Sequence, residues 1–210
     1  MPTRRSVAES FDAIAADYDA KRRRPWKMTH AFAALLPPSS SILDLGCGNG
    51  RNVGPFVDAG HRVTGLDASP GLLSFAAMKM GFRSLVLGDA ISLPFRASSF
   101  DAVHSIAAIH HLPSEREREQ MVEECERVVR ARGLVMVSAW AREQERFRLL
   151  GPEQVDVHVP WRLGGGHAAV ERFYHLFSEE ELERLVEGGG FKVRRSWREG
   201  DNHVVLAAKQ

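Results

Sequence analysis

Hydrophobic positions along this chain switch repeatedly between the spacing of a helix and the short runs of a buried strand. Residues 6–20, SVAESFDAIAADYDA, set Val7, Phe11, Ile14, Ala15 and Tyr18 on one face, which predicts an amphipathic helix that must lie on something larger. The stretch KRRRPW follows, where Pro25 turns Arg24 away from helix and four cations precede Trp26. A short helix over 28–36 ends at Pro37 and Pro38. Thereafter SILDL (41–45) reads as a strand, RNVGPFVDAG as a helix ending at Gly60, HRVTGLD as a strand, and PGLLSFAAMKMG as a helix from Pro70 to Gly81. FRSLVLGDA and FDAVHSIAAI supply a third and a fourth strand, SEREREQMVEECERVVR a helix and GLVMVSAW a fifth strand. Strands alternating with helices of this length predict an α/β fold, a mostly parallel sheet covered by helices on both faces.

The tail follows a different rule. SEEELERLVEGGGF predicts a helix capped by Ser178 with Glu181 as its capping-box partner, and KVRRSWREGDNHVVLAAK predicts two strands around a Gly200-Asp201 turn. That hairpin adds an antiparallel pair to one sheet edge. Residues 143–176 show no regular pattern and contain three consecutive glycines at 164–166. A single domain over 1–210 is expected: N-terminal helices to residue 38, a ligand-binding core over 39–140, an irregular insertion over 141–176, and the C-terminal helix and hairpin over 177–210.

With 44% hydrophobic and 26% charged residues in 210, the composition is that of an ordinary globular domain. The net charge of +1 excludes nonspecific polyanion binding by bulk charge, but five lysines against 23 arginines among 28 cations favour forked recognition of carboxylate or phosphate. Cys47 and Cys125 form no paired spacing, which argues against a disulfide framework or a self-contained zinc site and fits a reducing cytoplasm. No run approaches the length of a membrane span.

Three features carry chemistry. The loop DLGCGNG (44–50) follows the first strand, and its glycines Gly46, Gly48 and Gly50 let the backbone turn sharply and approach a ligand at the start of the next helix. Its spacing is G-x-G-x-G, not the dinucleotide G-x-G-x-x-G. Asp67, ending the second strand before Ala68, is placed to take two ribose hydroxyls, and Asp89 with the N–H of Ala90 to read an adenine edge. Asp44, at the strand end by the glycines, suits a cationic ligand and repels phosphate. Together these positions point to S-adenosylmethionine, with Tyr18, Cys47 and Ser105 counted in the same site. Third, the apolar run of the fourth strand ends in His110 and His111, across from the glycine loop, where they border the acceptor side.

IAAIHHL (106–112), AWAREQ (139–144), DVHVPW (156–161), RFYHLF (172–177) and GDNHVV (200–205), added to the glycine loop, resemble the transfer RNA carboxymethyluridine methyltransferases over nearly the whole chain. RRRPW resembles the family's R-x-K-P-W, with Arg22, Pro25 and Trp26 matching. Of two arginines expected in tandem after the histidines, Glu117 stands at the first position and Arg118 at the second. The resemblance implies a class I methyltransferase fold with a seven-stranded sheet, an anticodon stem-loop as substrate, and a wobble uridine whose carboxymethyl group is esterified. It also implies a small zinc-binding activator subunit along the third-strand edge, near Met78, Met80 and Phe82.

A carboxylate ionises near pH 4 and needs no strong base at neutrality. Arg22, Arg118, His110, His111 and Tyr174 are therefore candidates for orienting it rather than for activating it. Arg4, Arg5, Lys21 to Arg24, Arg142, Arg146, Arg148, Arg194, Arg195 and Arg198 are candidates for the RNA backbone, and Trp26, Trp161, Phe173 and Tyr174 for stacking a flipped base. A small-molecule methyltransferase would use the same donor residues, and a catalytically silent scaffold for a partner remains a third reading.

Overall fold

The computed structural model describes residues 2–80, 84–164 and 169–210. Strands β1 (Ser41–Leu45), β2 (Arg62–Asp67), β3 (Leu85–Leu87), β4 (Phe100–Ile106) and β5 (Val129–Trp140) run parallel. A separate ribbon of β6 (Asp156–Arg162) and β7 (Ala169–His175) pairs antiparallel, and β8 (Phe191–Glu199) with β9 (Asn202–Lys209) completes the main sheet antiparallel to β5. The seven-stranded order is β3-β2-β1-β4-β5-β9-β8. Order reverses between β1 and β4, and the crevice outside the carboxyl ends of those two strands is where such a sheet holds a ligand.

Alternate strand residues explain both layers. Leu43 and Val103 point into a cluster with Met121, Val122 and Val186 of helices α5 (Glu115–Val128) and α6 (Glu179–Gly188). Ile42 and Ala102 point the other way, onto Phe32 of α2 (Lys27–Leu35) and Phe56 of α3 (Val53–Asp58). Burial on both faces is why these strands read as continuous apolar runs. Truncating the fully buried Phe56 to Ala would cost about 3–5 kcal/mol. Helix α4 (Pro70–Met80) covers β2 and β3, and α1 (Arg4–Lys21) lies across α4 and β7.

Sequence expectations for the elements hold in order and type, with two corrections. Residues 143–176 are not irregular: β6 and β7 form a ribbon whose register runs from Asp156 opposite His175 to Arg162 opposite Ala169. β6 alternates in exposure and has no core of its own, so its pattern is weak in sequence, whereas β7 buries Arg172 to His175 against the loop after β4 and against α1. The α6 cap is half of what was expected. Ser178 Oγ accepts the Glu181 N–H at 3.2 Å, but the Glu181 carboxylate instead accepts from His175 Nε2 at 2.7 Å.

Candidate active site

Two cavities meet at the carboxyl ends of β1, β2 and β4. The first, about 530 Å³, is lined by the glycine loop, the ends of β2 and β3, and α1. The second, about 550 Å³, lies between α1, the end of β5 and the β6–β7 ribbon. Phe11, Tyr18, Arg51, Ala107 and His111 line both, so a group held in one abuts a group held in the other.

The glycine loop of the first cavity is shaped by its crowding. Gly46 has φ +73° and a Cβ there would meet Ala108 Cβ at 2.5 Å, so the loop and the turn after β4 approach closer than any side chain allows. Gly50, also at positive φ, packs against Ala76 of α4 and lines neither cavity; its role is helix packing rather than ligand approach. Asp67 Oδ2 accepts the Gly48 N–H at 2.7 Å and Oδ1 accepts the Ser69 N–H at 2.9 Å. Burial pushes its carboxyl up to about 6, against the restraint of those backbone donors. Two lone-pair positions on Asp67 are left for a diol, as the ribose assignment requires. Asp89 is engaged by Arg4 Nε at 2.8 Å and by the Ile91 N–H at 3.2 Å, and Arg4 also pairs with Glu117 at the start of α5. Cys47, Ala68, Ala90 and Tyr18 line the cavity as expected; burial drives the Cys47 thiol well above its ordinary value, so it stays protonated.

Asp44 and Ser105 are corrected. Neither lines a cavity, and both are buried, at 1% and 0% exposure. Asp44 Oδ1 accepts from His104 Nδ1 at 2.8 Å, and His104 Nε2 lies 3.1 Å from the Thr29 hydroxyl. The acid therefore joins a buried network next to the glycine loop through Oδ1, while its Oδ2 is buried without a hydrogen-bond partner. Ser105 shares its face of β4 with Val103, and its Oγ is buried without a hydrogen-bond partner.

The two histidines are joined to their surroundings through all four ring nitrogens. His110 Nδ1 accepts the Trp140 N–H at 2.9 Å, so its Nε2 carries the proton and donates to His111 Nε2 at 3.2 Å; His111 Nδ1 then donates to the Phe173 carbonyl at 2.9 Å. Burial holds His111 down to about 3 and His110 well below the usual imidazole range, so both are neutral. They tie the turn after β4 to β5 and β7 and present ring faces, not hydrogen-bonding edges, to the cavities. Direct orientation of an acceptor by their nitrogens is thereby replaced by a wall-forming role.

Arg118 is likewise displaced. It is 6% exposed, lines neither cavity, and donates from Nη1 to the Leu112 carbonyl at 3.0 Å beneath the same turn. Arg22 and Tyr174 do line the second cavity. Tyr174 stacks on Trp140 with centroids 3.8 Å apart and planes at 9°, and burial raises its phenol to about 12. Arg22 sits 5.4 Å from the Trp161 ring.

Sequence reasoning missed Arg172. It is 7% exposed, lies 4.7 Å from the Trp161 ring and 5.2 Å from Tyr174, and its Nε has no hydrogen-bond partner. No carboxylate pairs with it among the described residues. Burial lowers its pKa from the ordinary arginine value, yet a guanidinium remains cationic. Lys21, Arg22, Arg51, Arg146 and Arg162 join it around the second cavity, where Asp201 is the one lining acid among the described residues. The available signal was the motif RFYHLF itself, read for its aromatic residues and not for its first position.

A parallel sheet with this order, a glycine loop and an acid at the tip of β2 define a class I methyltransferase, and residues 43–137 match the family described as a methyltransferase domain. A tRNA (carboxymethyluridine(34)-5-O)-methyltransferase of Schizosaccharomyces pombe is 33% identical over 227 residues, covering 97% of this chain and 96% of that protein. The chain belongs to the tRNA carboxymethyluridine methyltransferase family. Solved structures agree on the fold. A 1,6-didemethyltoxoflavin-N1-methyltransferase of Burkholderia thailandensis, with bound 1,6-didemethyltoxoflavin and S-adenosylhomocysteine, superimposes with a TM-score of 0.75 at 21% identity, over 99% of this chain and 88% of that one. A chain from the complex of the Haloferax volcanii Trm112 methyltransferase activator with a methyltransferase gives 0.74 at 18% identity, over 96% of each.

Proposed function

We propose that the chain esterifies the carboxymethyl group of a wobble 5-carboxymethyluridine in transfer RNA, forming the methyl ester. The observation that carries this reading is Arg172: a buried guanidinium without a counter-ion is costly unless the site's ligand brings the negative charge. An anionic acceptor on an aromatic ring fits a cavity walled by Trp140, Trp161 and Tyr174 and rimmed by cations.

S-adenosylmethionine fits the first cavity, with Asp67 for the ribose, Asp89 and Ala90 for the adenine and the glycine loop for the amino-acid end; when bound it supplies an electrophilic methyl group. The chain's own task is positioning. Arg172 and Arg22 hold the carboxylate by one oxygen, leaving the other free to face the junction of the two cavities at Ala107 and His111. No proton is removed, since the carboxylate is already ionised at neutral pH. The neutral histidine pair, Phe11 and Tyr18 close that junction against water. Helix α1 roofs it, held by Asp17 to Trp161 Nε1 at 2.6 Å and by Asp19 to Asn49 Nδ2 at 2.7 Å.

Labelled donor with an anticodon stem-loop carrying 5-carboxymethyluridine tests the reading. Methyl transfer to that nucleoside, seen by RNA mass spectrometry, is expected, and Arg172→Met should lower kcat/KM on the order of 100-fold with donor affinity intact. Transfer only to small free acids, or an undiminished R172M, overturns it.

The reading extends to a partner and a compartment. A small zinc-binding activator subunit docks along β3, whose outer edge is unpaired and flanked by Leu87 at 61% and Met78 at 68% exposure. Phe82 and the Met80 side chain, also expected there, lie outside the described residues. Co-purification with such a subunit that survives Met78→Glu would count against this edge. The cytoplasm, where such an RNA is modified, is the expected location; no helix among the described residues is long and apolar enough to cross a membrane.

A further inference from the structure

Asn202 is fully buried, at 0% exposure, and neither its Nδ2 nor its Oδ1 has a hydrogen-bond partner. It belongs to the wall of the second cavity, beside Asp201 and Trp140. Strand β9 lies between β5 and β8, so its backbone is held from both sides, and the register sets Asn202 opposite Trp140 of β5 and Glu199 of β8. Beside it, Gln144 Nε2 donates to the Asp201 carbonyl at 3.1 Å and His203 Nε2 meets the Glu143 carboxylate at 2.7 Å, while His203 Nδ1 is buried without a partner. An amide with both its donor and its acceptor unmatched at a position held from both sides is uncommon in a native fold, and it points to a ligand that supplies both halves of the pairing.

The chemistry of that ligand follows from the amide. It offers one donor and one acceptor side by side, and their complement is a carbonyl next to an N–H, the arrangement along the imide edge of a uracil ring. A carboxylate could accept from Nδ2 but would leave Oδ1 unmatched, and carboxylate binding already has Arg172. Arg172 lies 5.2 Å from the Tyr174 ring, Tyr174 stacks on Trp140, and Trp140 is the register partner of Asn202. Cation and amide thus stand along one aromatic wall, as the carboxymethyl and imide portions of one base require.

We propose that Asn202 reads the imide edge of the acceptor base, Nδ2–H donating to a ring carbonyl and Oδ1 accepting the N3–H. The inference rests on the wobble-uridine reading above and names the atoms by which the base is selected. It is tested with two stem-loop RNAs, one carrying 5-carboxymethyluridine and one the same nucleoside methylated at N3, and with the Asn202→Ala enzyme. N3 methylation should lower wild-type kcat/KM on the order of 10- to 100-fold. N202A should lose a similar factor on the first RNA, and its own penalty for N3 methylation should shrink to about threefold or less. Donor affinity by calorimetry reports whether N202A is folded; if it is not, Asn202→Ser takes its place, with a penalty expected between those of N202A and wild type. A wild-type enzyme indifferent to N3 methylation, or a variant whose penalty equals that of wild type, overturns the assignment while leaving the wobble reading intact. A wild-type enzyme inactive on the first RNA overturns both.

Discussion

Replacing Asp67 by Asn should weaken donor binding while leaving the fold about as stable as before. Burial raises the Asp67 carboxyl from 3.8 to about 6. Holding it ionised at neutral pH therefore costs up to about 3 kcal/mol, which water in the open cavity, reaching this half-buried residue, reduces to about 1–2 kcal/mol. The amide removes that cost but cannot accept both the Gly48 and the Ser69 N–H, and one charge-assisted hydrogen bond is worth about 1.5–3 kcal/mol. The two effects nearly cancel, so the melting temperature of the donor-free protein should move by no more than about 3 °C. Donor binding has no such compensation. One ribose hydroxyl meets an N–H where it met a carboxylate oxygen, and affinity by calorimetry should fall about 10- to 100-fold. Because the ionised carboxylate is the binding form, wild-type affinity should also decline by up to about tenfold per pH unit below 6, and D67N should lack that decline. Unchanged donor affinity, or a melting temperature that drops by about 6 °C or more along with affinity, would refute the reasoning.

The neutral histidines predict a pH dependence of stability. Unfolded histidines take a proton near 6.5 whereas His111 in the fold resists to about 3 and His110 is also held well down, so acidification favours the unfolded chain. Between pH 6.5 and about 4.5 each removes up to about 1.4 kcal/mol per pH unit; Asp67, protonating near 6 in the fold and near 4 outside it, returns about as much as one of them. With the Asp67 return cut by solvent to about 0.5–1 kcal/mol per unit, urea unfolding should show a net loss of up to about 2 kcal/mol per unit in wild type and a steeper slope, up to about 2.8, in D67N; a flat profile would mean the pair titrates within the fold. Arg118→Ala should cost about 1–3 kcal/mol of stability by releasing the Leu112 carbonyl, with kcat/KM of the folded fraction unchanged; a tenfold loss of turnover at full folding would restore Arg118 to the acceptor site.

Much of the fold was legible because each local signal had one structural outcome. The SEREREQMVEECERVVR stretch marked α5, whose start is fixed by a capping box between Ser114 and Glu117. Gly200 marked the β8–β9 turn with φ +59°. What the sequence hid were contacts made across the chain. The DVHVPW stretch reads as irregular because it has no core beneath it until β7 pairs with it, and β7 is held by residues some 60 positions earlier, as in the His111 bond to the Phe173 carbonyl. Asp44 and Arg118 look in sequence like ligand-facing groups, and only the buried partners His104 and Leu112 show otherwise. Arg172 was concealed by the opposite effect, since a lone arginine in a stretch without regular pattern reads as solvent-exposed until its burial, without a carboxylate partner among the described residues, is seen.

The neutrality of the histidine pair and the cationic character of Arg172 answer one chemical need from two sides. An acceptor that arrives ionised requires a site that attracts it without taking its charge away, and a proton donor at the junction would do the latter. Imidazolium at His111 would place an acidic group in the wall of that junction; the chain of bonds from Trp140 through His110 and His111 to Phe173 commits both rings to a neutral tautomer before any substrate enters. Arginine is the cation suited to the complementary task, because its pKa lies too high for burial beside Tyr174 and Trp161 to neutralise it, whereas a lysine so desolvated would be liable to lose its proton. Arg172→Lys should on this account be impaired far more at pH 7 than a conserved positive charge would suggest, and recover activity as pH is lowered toward the depressed lysine pKa. An R172K enzyme equal to wild type at neutral pH would show that the cavity is wetter than its burial implies.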